Sequence, residues 1–225
     1  LEHISQDLKD KRVAISGSGN VALYASEKCI HEGAKVVSVS DSAGTLYIPG
    51  GLTLEQLARI QELKGVQRGR LSELGGEADF EYLDGQRPWG IECDYALPCA
   101  TQNEIEMEDA QKLVAGGCKA VCEGANMPTV PDAIHLFKEK GVLFAPGKAS
   151  NAGGVAVSGL EMAQNSIRMS WSREDLDEKL KDIMSDIHDR CVEEGGGGEH
   201  IDYVKGAAIS GFKKVADAIL SYGVI

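Results

Sequence analysis

Along the first two thirds of the chain, short apolar runs alternate with stretches whose apolar residues recur every three or four positions. Residues 11–16, with Val13, Ala14 and Ile15 in succession, read as a buried strand. Residues 34–40, carrying Val36, Val37 and Val39, read as a second. Residues 20–32 between them have helical spacing and stop at Gly33. Two strands joined by a helix of that length make a parallel βαβ unit with a right-handed crossover. Thr53 opens a further helix in which Leu54, Leu57, Ile60 and Leu63 are spaced for one apolar face, and Thr53 with Gln56 fits a capping box. Strands are predicted over 80–83, 94–98, 120–123 and 142–144, and helices over 107–115 and 131–140, the latter with Pro131 in its first turn. Apolar strands alternating with amphipathic helices predict an α/β fold, a doubly wound, mostly parallel sheet covered on both faces.

The pattern changes near residue 151, after which residues 151–171, 173–194 and 201–222 all read as helices. Leu176, Leu180, Ile183, Met184 and Ile187 form one apolar stripe, and Ile209, Phe212, Val215, Ala216 and Ile219 another. Stripes of this kind are core or docking faces. The run Gly195-Gly196-Gly197-Gly198 reads as a flexible joint between the last two helices.

Composition narrows the function classes. With 35 acidic and 23 basic residues the formal net charge is −12, which argues against nucleic acid or an anionic membrane surface as the partner. No apolar run is long enough to span a membrane. Residues 1–7 have neither a basic nor an apolar region of a signal peptide, and the lack of an initiating Met suggests a cut or processed piece. The six cysteines, at 29, 93, 99, 118, 122 and 191, form no C-x-x-C pair and have no histidines clustered near them. That spacing predicts no metal site but buried free thiols in a reducing cytoplasm.

The candidate chemistry sits where the first strand meets the first helix. In Gly17-Ser18-Gly19-Asn20-Val21-Ala22, Gly17 permits a tight turn, Gly19 a close backbone approach to a pyrophosphate, and Ala22 close packing of helix on strand. The helix N-terminus would offer free N–H groups to the phosphates. G-x-G-x-x-A is weak alone, but here it lies between a strand and a helix, and Asp41 ends the second strand 22 residues after Gly19. This is the Rossmann-like arrangement. An acidic residue at Asp41 ordinarily holds a ribose 2′-hydroxyl and points to NAD. Lys64, Arg68 and Arg70, at or just past the end of the helix opened by Thr53, are candidates for a 2′-phosphate or simply a solvated basic loop.

From Arg12 onward the chain resembles the C-terminal domain of hexameric glutamate dehydrogenases, in the glutamate/leucine/phenylalanine/valine dehydrogenase family. The resemblance is carried by Ser16–Ala22, Ser40-Asp41-Ser42, residues 96–104 (ALPCATQNE), 123–128 (EGANMP), 145–149 (APGKA) and 151–165, in the family's order. It implies reversible oxidative deamination of L-glutamate to 2-oxoglutarate and ammonia by an intact homohexamer. Cofactor contacts are implied at Gly17, Ser18, Gly19, Asn20 and Val21. Thr101, Gln102, Asn126 and Asn151 are implied at the nicotinamide, and Val155 and Ser158 in the substrate side-chain pocket. Amide and hydroxyl groups of this kind hold a carboxamide or a carboxylate without adding charge. Asp41 and Ser42 with Lys64 and Arg70 resemble the NADP-preferring branch, against the NAD reading of Asp41 alone, because cations and hydroxyl donors offset one carboxylate.

The expected organisation is one dinucleotide-binding domain over 1–225, with a helical segment from about 151 to 225 and the N-terminal substrate domain absent. The family's catalytic lysines and aspartate belong to that missing domain, so no catalytic residue is expected here and the chain alone should not turn over. Competing readings are an NAD-specific enzyme, a leucine- or phenylalanine-type amino-acid dehydrogenase, and a non-catalytic dinucleotide-binding module.

Overall fold

A computed structural model describes residues 7–77, 79–196 and 201–223. The chain divides into two compact units, Leu1–Phe144 and Ala145–Ile225.

The first unit is built on a seven-stranded sheet of order β4-β3-β2-β1-β5-β6-β7. Its strands are β1 (Arg12–Ile15), β2 (Lys35–Asp41), β3 (Gly44–Tyr47), β4 (Glu81–Asp84), β5 (Tyr95–Leu97), β6 (Ala120–Cys122) and β7 (Leu143–Ala145). β1 pairs in parallel with β2 and β5, and β5 with β6. The helices α1 (Asn20–His31), α2 (Leu54–Gln61), α3 (Met107–Ala115) and α4 (Pro131–Glu139) fall where the periodicity places them. The core follows the apolar runs: Val13, Ile15, Val36, Val39, Leu57 and Ile60 are all buried. The capping box at Thr53 forms, with its hydroxyl accepting the Gln56 amide at 3.2 Å and its own amide donating to Gln56 Oε1 at 2.9 Å.

Three sequence readings need correction. β3 was not anticipated; it and β4 add antiparallel to the sheet beside β2, so one side of the sheet is a meander. Leu54 does not share the apolar face of α2 but is 46% exposed, since that helix buries only the Leu57–Ile60 side. Beyond α2 the chain continues as a π-helical turn, Glu62–Gln67, which still buries Leu63.

The β1–β2 pair contains a register shift between Val13 and Ala14. There two buried hydroxyls stand in for the missing ladder bonds. Ser38 Oγ accepts the Ile15 amide at 3.0 Å and donates to the Ile15 carbonyl at 3.1 Å. Ser40 Oγ accepts the Gly17 amide at 2.9 Å, and the Ser40 amide donates to the Gly17 carbonyl at 3.1 Å.

The second unit holds a short α5 (Gly147–Ser150), then α6 (Ala152–Ile167), α7 (Arg173–Gly195) and α8 (Tyr203–Tyr222). α6 stops four residues short of the expected end, at Arg168, whose φ of 55° is left-handed. α7 packs against both α6 and α8. Gly206 on α8 leaves no room for a Cβ against the Cys191 backbone of α7. The stripe on α7 is half-buried, whereas Phe212, Val215 and Ile219 of α8 are exposed. Of the four-glycine run, Gly195 closes α7 and Gly196 caps it, while residues 197–198 lie outside the described residues. Residues 1–6, on which the reading of the N-terminus rests, also lie outside them. The six cysteines are free thiols, and no helix among the described residues is long and apolar enough to cross a membrane.

Candidate cofactor-binding site

The C-terminal ends of β1, β2 and β5 open onto a cleft of about 570 Å³, the position at which open α/β sheets bind ligands. Its walls are the turn Gly17–Gly19, the loop Ser40–Gly44, the loop Gly85–Pro88 and the loop Cys99–Glu104.

Gly17 has φ +85°, a left-handed value that side chains disfavour, and a Cβ there would lie 3.0 Å from the Cys99 carbonyl oxygen. Gly19 is the N-cap of α1, and a Cβ on it would meet nothing within 4 Å. That unfilled side is the cradle a phosphate needs. No side chain caps α1 and no acidic residue sits in its first turn, so its N-terminal amides and dipole are available to an anion. Ala22 is fully buried, as close helix–strand packing requires. Asn20 and Val21 are exposed beside the turn.

At the end of β2, Asp41 is a structural carboxylate. Its Oδ1 accepts the Ala43 amide and its Oδ2 the Leu71 amide, both at 3.0 Å. Lys64 Nζ lies 3.6 Å from Oδ2 and also donates to the Gly69 carbonyl at 3.0 Å. Burial on its own would raise the Asp41 carboxyl, but the two amides and the ammonium outweigh it and hold it below the usual aspartate range. The charge that argued for NAD is thus already offset. Next to it Ser42 is exposed, and Arg70 Nη1 donates to Ser42 Oγ at 3.1 Å. A hydroxyl and a guanidinium converge there at the lip of the cleft.

On the other side of β1, Thr101 and Gln102 are exposed in the cleft wall. The loop bearing Asn126 lies alongside: Asn103 donates its amide to the Met127 carbonyl at 2.9 Å, and Gly124 and Ala125 donate theirs to Pro98 at 3.0 Å. Asn151, Val155 and Ser158 belong to the second unit. Asn151 is the residue between α5 and α6, and Val155 and Ser158 are exposed one turn apart on α6.

Two residues that the sequence did not single out also shape the cleft. Arg87 donates from Nη1 to Asp109 at 2.8 Å and to the Glu104 carbonyl at 3.0 Å. The hydrogen bond to Asp109 raises its pKa. Glu104 accepts the Ala100 and Thr101 amides. The sequence signals them only through Glu104, which closes the 96–104 segment. Among the described residues, no group of three or more His, Cys, Asp or Glu side chains is arranged to hold a metal.

The family model for Glutamate/Leucine/Phenylalanine/Valine dehydrogenase matches residues 1–223. The chain belongs to this dehydrogenase family. Over 225 residues it is 56% identical to the NADP-specific glutamate dehydrogenase of Escherichia coli (strain K12), covering all of this chain and 50% of that protein. It is 52% identical to the NAD(P)-specific glutamate dehydrogenase of Xylanibacter ruminicola, covering 51% of it. The solved Plasmodium falciparum glutamate dehydrogenase superposes with a TM-score of 0.96 at 43% identity, over 100% of this chain and 49% of that one. The chain therefore spans about half the length of the curated relatives it matches. The fold is the Rossmann-like α/β fold of these dehydrogenases.

Proposed function

We propose that this chain is the NADP-binding half of a glutamate dehydrogenase. The observation that carries the reading is the corner at the end of β2: Arg70 on Ser42 at 3.1 Å, with the neighbouring Asp41 carboxylate already engaged by two amides and Lys64. A guanidinium and a hydroxyl there suit a 2′-phosphate, which NAD lacks. The name of the Escherichia coli relative, NADP-specific glutamate dehydrogenase, supports the same choice, and that of the Xylanibacter ruminicola relative, NAD(P)-specific, is compatible with it.

In this reading Gly17, Ser18, Gly19, Asn20 and Val21 receive the pyrophosphate on the α1 N-terminus, and Thr101, Gln102 and Asn126 orient the nicotinamide. Bound NADP supplies a ring that takes up or returns a hydride. The assignments of Asn151 to the nicotinamide and of Val155 and Ser158 to the substrate side chain are carried by the resemblance alone. The intact enzyme would act on L-glutamate and 2-oxoglutarate as a homohexamer in the cytoplasm, a compartment that suits six free thiols. The acid and base that act at the substrate α-carbon would come from the other half of the enzyme.

Calorimetric titration of this chain with NADP and then NAD tests the reading. NADP should bind at least about tenfold tighter, the contribution of a charge-assisted phosphate contact. Equal or tighter NAD binding would overturn the cofactor choice. The chain alone, given L-glutamate and NADP, should produce no reduced cofactor in a spectrophotometric assay.

A further inference from the structure

The carboxylate of Glu104 braces the wall of the cleft that follows β5. Its Oε1 accepts the backbone amides of Ala100 at 3.0 Å and Thr101 at 3.3 Å. The Ser16 hydroxyl accepts the Cys99 amide at 2.9 Å, and as a neighbouring donor it favours the ionised form of the Glu104 carboxyl. Ser16 is the last residue before Gly17, and Cys99–Thr101 follow β5. The exit of β1, which becomes the glycine turn, is thus tied to the exit of β5 through Ser16 and Cys99, and Glu104 fixes the next two residues, Ala100 and Thr101, beside Gln102. Arg87 pins the same segment by donating to the Glu104 carbonyl at 3.0 Å.

We infer that Glu104 is a positioning residue for the dinucleotide, setting Thr101 and Gln102 against the glycine turn on the side of β1 opposite Ser42. The inference rests on the cleft being a dinucleotide site. An ionised carboxylate offers the two amides a charged acceptor and keeps a second acceptor oxygen toward the Ser16 hydroxyl, whereas a glutamine of the same length keeps one uncharged acceptor oxygen and places a donor where the other stood. Burial raises the Glu104 carboxyl above the usual glutamate range, outweighing Ser16, the two amides and Arg87. The other group facing it is the Cys99 thiol, itself pushed up by burial. Asp109 and Glu106 pair with Arg87. Protonation of Glu104 removes acceptor capacity and sets in at higher pH than for an ordinary glutamate, so affinity for the nicotinamide half falls toward acid.

The experiment titrates the chain and its Glu104→Gln variant with NADP and with adenosine 2′,5′-bisphosphate, which has the 2′-phosphate but no nicotinamide. Glu104→Gln should weaken NADP about tenfold and leave the bisphosphate within about twofold, as expected for loss of hydrogen bonds to a charged group at one end only. Wild-type NADP affinity should fall toward acid, beginning at higher pH than an ordinary glutamate would allow, and the variant should flatten that slope. Ser16→Ala, which breaks one tie, should weaken NADP about threefold with the bisphosphate unchanged. Equal losses for both probes, or no loss for either, overturn the positioning role alone. A wild-type chain that binds neither probe overturns the cofactor reading and this inference together.

Discussion

Asp41 and Glu104 occupy mirrored stations on either side of β1, and they solve one problem in opposite electrostatic ways. Each is a shielded carboxylate that accepts two backbone amides, Asp41 one from its own loop and one from Leu71, Glu104 both from its own loop. Asp41 has an ammonium 3.6 Å away, and its carboxyl stays below the usual aspartate range. Glu104 has a hydroxyl in that place, with Arg87 spent on Asp109, and burial wins. At Asp41 the two backbone amides, joined by Lys64, outweigh burial, whereas at Glu104 the hydroxyl, two amides and a more distant guanidinium do not. The 2′ corner is therefore built to keep its charge balance over a wide pH range, and the opposite wall is not.

The comparison breaks most completely at the element both sides share. Gly17→Val forces a branched side chain into φ +85° and against the Cys99 carbonyl. It should cost about 3 kcal/mol of cofactor binding, roughly a hundredfold, for NADP and NAD alike in calorimetry. Next in size, Asp41→Ala leaves the Leu71 and Ala43 amides without their acceptor, and thermal unfolding should show a loss of about 2 kcal/mol. The sign with pH follows from the depressed carboxyl. The stabilisation from Asp41 is fully present above the ordinary aspartate value, near 3.9, and is lost as pH falls through the lower folded value. The gap in melting temperature between wild type and Asp41→Asn should therefore persist from about pH 7 down to about pH 5 and close only in strong acid. Smaller and more selective, Arg70→Ala should weaken NADP about tenfold and Lys64→Ala about threefold, with NAD unchanged in both. Parallel losses for NAD would show that the corner shapes the loop without reading the phosphate.

Much of this was legible because period and punctuation agreed. The β1–α1–β2 unit announced itself through Val13 to Ile15, the glycine turn and the valines of β2, and Thr53 with Gln56 marked the start of α2. β3 escaped because its turn carries no Asn-Gly or Asp-Gly pair. Ser42 and Ala43 turn the chain instead with Asp41 Oδ1 accepting the Ala43 amide, a local device that composition does not display. The same blindness applied to cofactor choice. A lone acidic residue at the strand end suggests NAD, and only the geometry shows both of its oxygens committed to backbone amides. Glu104 and Arg87 were invisible for a related reason: their partners Ser16 and Asp109 are remote in sequence, 88 and 22 positions away.

The meander beside β2 has a temporal consequence. β2 and β3 are joined by a turn of two residues, Ser42 and Ala43, so their pairing is local. β1 must wait for β5, some 82 residues downstream, as in the bond from the Arg12 amide to Asp94. Local pairing closes faster than distant pairing. Pulse-labelled hydrogen exchange should accordingly find the Ser38–Leu46 amides protected before those of Ser16 and Cys99, so that the phosphate corner exists as a folded object before the pocket it belongs to.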